Sequence, residues 1–150
     1  MEQEVVEKIK NIIAALEDGQ KYELKTLDLD SLTRLAGKLA IYRASLSEMV
    51  ADAVYEANYA YIFRRYQFAV EFNKLKMHLK EEEGKMTDGQ AERQTEEALF
   101  ELRQKEVENR RTADKLVGLL DTVDKLVFTL HDRIKVLDTE RRQVGMQNEP

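Results

Sequence analysis

The stretch "ADKLVGLLDTVDKLVFTLHDRIKVL", Ala113 to Leu137, decides the fold. Its apolar residues Ala113, Leu116, Leu120, Val123, Val127, Leu130, Ile134 and Leu137 follow one another at alternating steps of three and four. A repeat of about 3.5 residues keeps one narrow stripe of an α-helix facing a neighbour over many turns, so the pattern predicts a coiled-coil-like seam. Upstream, "KMTDGQAERQ" has Thr87 and Gln90 at the spacing of a capping box, with Met86 and Ala91 placed as a hydrophobic staple. The helix is therefore expected over residues 87–142, with 143–150 as a tail.

Such a seam needs a partner, and residues 29–83 supply one. Leu32, Leu35, Leu39, Leu46, Val50, Ala53, Ala57, Tyr61, Phe68, Phe72, Leu75 and Leu79 form a stripe that Asp28 or Asp30 can N-cap and that stops near Glu83 and Gly84. Two helices of similar length joined at Gly84 to Asp88 should fold back as an antiparallel hairpin. In that register Gly118 falls opposite Ala53, where small residues on both sides permit close backbone approach. Before them, Val5, Ile9, Ile12, Ile13 and Leu16 mark a short amphipathic helix over 2–18, closed by Gly19. The expected fold is all-α: a short N-terminal helix plus a long antiparallel helical hairpin, one helical domain over 1–150, assembled as a homo-oligomer.

Composition agrees with long helices. Charged residues make up 35% of the chain and the single proline is Pro150, at the last position. The net charge of −5 argues against a broadly basic nucleic-acid binder. The charge is unevenly spread, however: residues 1–30 carry four lysines against eight acids, whereas 57–80 carry Arg64, Arg65, Lys74, Lys76 and Lys80 against Glu71 alone. With no cysteine there is neither a disulfide framework nor a thiolate metal site. The opening "MEQEVVEKIK" lacks the basic flank and apolar run of a signal peptide, and no apolar run approaches the roughly 20 residues that span a bilayer. A soluble cytoplasmic protein without membrane contact is expected.

No nucleotide, zinc or calcium motif occurs, and the two histidines, His78 and His131, lie on different helices. A thin hairpin also offers few pockets able to separate the pKa values of paired carboxylates. The expectation is a non-enzyme with no catalytic residues, no metal and no cofactor.

Of six tyrosines and five phenylalanines, seven fall in "YEANYAYIFRRYQFAVEF", Tyr55 to Phe72. On a helix they divide into two faces. Tyr61, Phe68 and Phe72 continue the hairpin stripe, while Tyr55, Tyr59, Ile62, Phe63, Tyr66 and Val70 cluster on the other side. One helix cannot cover both. The polar run Arg103 to Arg111 opposite leaves little apolar surface for the second face, so three occupants compete: an identical subunit, the N-terminal helix, or a ligand. Identical subunits are the simplest donors, and tyrosine suits an interface where its ring is buried and its hydroxyl stays wet. Arg64, Arg65, Lys74 and Lys76 either form an ordinary charged face paired with Glu101, Glu106 and Glu108, or bind phosphates while Tyr59, Phe63 and Tyr66 stack on unpaired bases.

The layout of a short helix, a long helix, a capped turn and a heptad helix resembles the UvsY family of phage recombination mediators. The most specific likeness is "GLLDTVDKLVFTLHDR", Gly118 to Arg133, where Leu-Leu-Asp is followed ten residues later by a polar residue and arginine. "EANYAYIFRRYQFA" and "HDRIKVLD" are also similar to small helical proteins encoded beside phage recombination genes, and Arg64 and Arg65 fall near a basic pair of the family's long helix. The resemblance implies a homo-oligomeric, ring-like assembly that binds single-stranded DNA in the host cytoplasm, contacts the single-strand binding protein and helps load a RecA-like recombinase. The family is basic overall, and this chain departs from it in being acidic.

Overall fold

In the computed structural model, residues 2–18, 27–81 and 87–147 are described. They form α1 (Glu2–Asp18), α2 (Leu29–Glu81), α3 (Asp88–Ala98) and α4 (Phe100–Gln147), and no strand occurs among the described residues. The long helices α2 and α4 pack as an antiparallel hairpin. Gly19, Glu83, Gly84 and Met86, with the caps and staple assigned to them, lie outside the described residues, as do the side chains of Leu16, His78 and Leu79.

Asp28 rather than Asp30 caps α2. Its carboxylate accepts the Ser31 amide at 2.7 Å, and its carbonyl accepts the Leu32 amide at 3.0 Å. The Ser31 backbone bond holds the Asp28 carboxyl below its ordinary range, so this stabilisation is present above the usual carboxylate pKa and fades as the pH falls through the depressed value.

Contacts group the chain into two compact units. The first comprises the residues up to Val50 and those from Leu116 onward. Here Leu32, Ala36, Leu39 and Leu130 are buried, with Leu35, Val127, Ile134 and Leu137 packed around them. A second cluster brings Ile9 of α1 against Leu46 and Val123, all fully buried. Each such side chain contributes about 1.5–3 kcal/mol of apolar burial, which fixes α1 on the hairpin without help from its own helix propensity.

The second unit, Ala51–Lys115, joins the rest of α2 to α3 and the beginning of α4. Thr87 forms the expected capping box, accepting the Gln90 amide while the Gln90 side chain accepts the Thr87 amide. The core of this unit is lighter, consisting of Ala60, Ala91, Leu99, Ala113 and the polar Thr95. The single helix expected over 87–142 is interrupted at Leu99, whose φ of −102° and ψ of 16° depart from α-helix, although its amide still reaches the Thr95 carbonyl at 3.1 Å. One turn earlier the Thr95 hydroxyl donates to the Ala91 carbonyl at 2.8 Å, a back-bond that bends helices. Beyond the interruption the helix runs to Gln147, past the expected end at 142.

Two expectations are corrected. Tyr61 is exposed, and Ala60 and the half-buried Arg64 occupy the stripe instead. The packed positions of α2 step by seven through Leu32, Leu39, Leu46, Ala53 and Ala60, with Ala36, Val50, Ala57 and Arg64 between them. Likewise Gly118 permits no close approach, because a Cβ placed there meets nothing within 4 Å and the residue faces solvent. Only the conformational cost of glycine in a helix remains, so Gly118→Ala should raise stability by about 0.5–1 kcal/mol, read as a higher denaturation midpoint. A lower midpoint would restore a packing role to Gly118.

Candidate functional site

The aromatic residues of α2 that the seam leaves out project from its opposite side. Tyr55, Tyr59, Ile62 and Tyr66 are separated by steps of four, three and four, the same repeat as the seam. These four are between 54% and 66% exposed; Phe63 is 37% exposed and Val70 half-buried. The rings of Tyr55 and Tyr59 lie 6.4 Å apart at 18°, and those of Tyr59 and Phe63 6.0 Å apart at 13°, forming a stacked row. The apolar side of α1 is engaged through Ile9 with Leu46 and Val123, so the N-terminal helix is not the cover of this face.

Below the row lies a cleft of about 260 Å³ lined by Glu56, Tyr59, Ala60, Phe63, Leu102, Lys105 and Asn109. The Asn109 side-chain amide donates to the Glu56 carbonyl at 3.4 Å, a long bond across the two helices. No convergent acid, base and nucleophile line this cleft, and no group of residues suited to hold a metal ion occurs among the described residues.

The four candidate phosphate binders separate into different environments. Arg64 sits on the seam with its side chain 18% exposed, its Nε donating to Glu106 at 2.5 Å and its guanidinium 3.6 Å from Glu96. Of the acids expected opposite, only Glu106 is paired with it, and Glu106 is itself 14% exposed. Lys74 holds Glu71 at 2.7 Å, and Lys76 pairs with Asp88 while its ammonium lies 5.7 Å from the centre of the Phe72 ring. Arg65 alone of the four has no carboxylate partner among the described residues. It donates to the Tyr61 hydroxyl at 3.0 Å and lies 5.8 Å from that ring's centre.

Sequence reasoning passed over a second set of cations. Lys105, Arg110, Arg111 and Lys115 of α4 are exposed and make no ion pair among the described residues. They come from and follow the run "RQKEVENRR", where four bases and two acids would have to be sorted by helix face to reveal them. Arg110 lines a cleft of about 320 Å³ with Ala57, Asn58, Tyr61 and Glu106.

Compared with protein-family models, curated proteins and solved structures, the chain matches none of them. The resemblance to the mediator family thus rests on the sequence segments quoted above. Among the described residues no helix is long and apolar enough to cross a membrane.

The Arg64–Glu106 pair is a half-buried ionic contact in a seam, with Glu96 at its edge, and its removal in two ways should differ. Glu106→Ala leaves the guanidinium half-buried with only Glu96 near it and should cost roughly 1–3 kcal/mol in chemical denaturation. Replacing both, Arg64→Leu with Glu106→Leu, should be near neutral or stabilising, because the desolvation of two charges is relieved together. A double variant as unstable as the single one would show that the pair itself holds the seam.

Proposed function

We propose that this protein is a non-catalytic helical assembly protein in which copies of the chain join through the aromatic face of α2, forming a scaffold or protein-interaction oligomer. The observation that carries this reading is the exposed row of Tyr55, Tyr59, Ile62, Phe63 and Tyr66 on one stripe at seam spacing. If each such side chain has about 150–250 Å² to offer, the exposed part is on the order of 500 Å² per chain, as large as the largest apolar patch of an ordinary monomer. Light-scattering mass measurement should give an oligomer for the natural chain and a monomer for Tyr59→Ala with Phe63→Ala. Tyr59 is more than half exposed and Phe63 belongs to neither buried cluster, so helical content should be unchanged in the double variant. A natural chain that is monomeric at tens of micromolar would remove this reading.

Arg65 favours a second reading, the recombination mediator implied by the family resemblance. Among the described residues its guanidinium has no carboxylate partner and lies over Tyr61, and Tyr61 shares a cleft with Arg110, so cation and ring adjoin as single-stranded DNA requires. Contacts to a single-strand binding protein and a recombinase in the host cytoplasm belong to this reading. Arg64, Lys74 and Lys76 contribute little to it, since each already has a carboxylate partner. Titration with single-stranded DNA should then show binding that weakens steeply with salt and is lost with Arg65→Ala and Arg110→Ala together. No binding at low salt would remove it.

A further inference from the structure

Resting on the self-association reading, we infer that the occupant of the aromatic face is a second copy of the chain with its α2 antiparallel to the first, about a two-fold axis at Phe63. A face that repeats at steps of four and three is shaped for another helix carrying the same repeat, and α2 of a second copy carries it. The charges bordering the face select the direction. Asp52 and Glu56, exposed and without a cation partner among the described residues, lie at its N-terminal end. Lys74, whose side chain is 66% exposed while it holds Glu71, lies at its C-terminal end.

Parallel copies would set Asp52 beside Asp52 and Lys74 beside Lys74, a repulsion at both ends. Antiparallel copies bring acid to base. The spacing is symmetric as well: Asp52 and Lys74 are each eleven residues from Phe63, and on a helical wheel both lie on its side of the stripe. An axis at Phe63 therefore sets Asp52 against Lys74 of the second copy at both ends and Tyr59 against Tyr66 within. Phe63 meets its own equivalent, and Ile62 lies close to its own.

Two copies together bury on the order of 1,000 Å² of aromatic and aliphatic side chain, the lower limit for a specific interface before the rim is counted. Such a contact is isologous and closes on itself, so this face yields a dimer, and a ring would need a different surface.

The chain has no cysteine, so single cysteines report distances without background. Ile62→Cys should link to itself efficiently under oxidation or with a short bis-maleimide. Asp52→Cys alone should not, whereas Asp52→Cys mixed with Lys74→Cys should give the mixed dimer. Asp52→Lys should weaken dimerisation about five- to tenfold, and adding Lys74→Asp in the same chain should restore it. Self-linking of both Asp52→Cys and Lys74→Cys would mean parallel helices and overturn the inference while leaving self-association intact. An oligomer in which Ile62→Cys fails to link would overturn the α2–α2 contact, and a monomer throughout would overturn the parent reading with it.

Discussion

A helix can bury one stripe against one neighbour, and in α2 that stripe is fixed by the heptad seam through Leu32, Leu39, Leu46, Ala53 and Ala60. Everything at the opposite angle must find another partner or face water. In the first compact unit α1 packs along the seam itself, with Ile9 placed against Leu46 and Val123, and Ile41 on the outer side stays exposed. In the second unit the outer side carries Tyr55, Tyr59, Ile62 and Tyr66, and they stay exposed. Because outer row and seam share one repeat, the row holds its angle to the seam along its length and does not spiral away. A helix–helix interface requires that alignment, which an irregular scatter of surface aromatics would lack.

The seam itself changes character between the units. Leucines, isoleucine and valine fill it in the first, whereas Ala60, Ala91, Ala113, Thr95 and the Arg64–Glu106 pair fill much of it in the second. Burying that pair forgoes hydrophobic stabilisation, but it disfavours registers that separate Arg64 from Glu106. It also removes Arg64 from the surface. With Lys74 and Lys76 paired as well, three of the four candidate cations already have carboxylate partners within the chain. Among the described residues of the second unit, Arg65, Arg93 and the α4 residues Lys105, Arg110, Arg111 and Lys115 make no ion pair, the last four interspersed with Glu108 and Asp114.

Much of this was legible in the sequence, for reasons that differ by element. The α4 stripe is unambiguous because Leu and Val recur at strict steps, and every one of its positions from Ala113 to Leu137 is buried or half-buried. The α2 stripe misleads between Ala57 and Phe68, where a wheel at 100° per residue drifts about 20° per heptad from a supercoiled seam, or about 80° between Leu32 and Ala60. That drift exchanges Tyr61 for Ala60, and the apolar bias of any hydrophobicity pattern conceals that Arg64 is on the seam. The interruption at Leu99 has no glycine or proline to announce it. The exposed aromatic face was visible as a surplus that one hairpin cannot cover. Ion pairing was not, since Glu101, Glu106 and Glu108 are equivalent partners for Arg64 until the register is known to within one residue.

The two functional readings make opposite demands on the charge of the chain. Polyanion binding depends on net positive potential over several phosphates, and an oligomer of chains at −5 multiplies acids as well as bases. Avidity then helps only where each copy presents a locally positive surface, which limits the DNA-binding surface to Arg65 and the exposed end of "RQKEVENRR" with Lys115. Burial of the aromatic row is indifferent to net charge, and salt strengthens it where it acts at all on apolar contacts. Its bordering Asp52 and Lys74 supply direction more than affinity, since exposed ion pairs contribute little and are screened within about 10 Å at ordinary ionic strength. On the self-association reading, an apolar centre with charged ends therefore implies contact that persists at high salt while its antiparallel preference weakens.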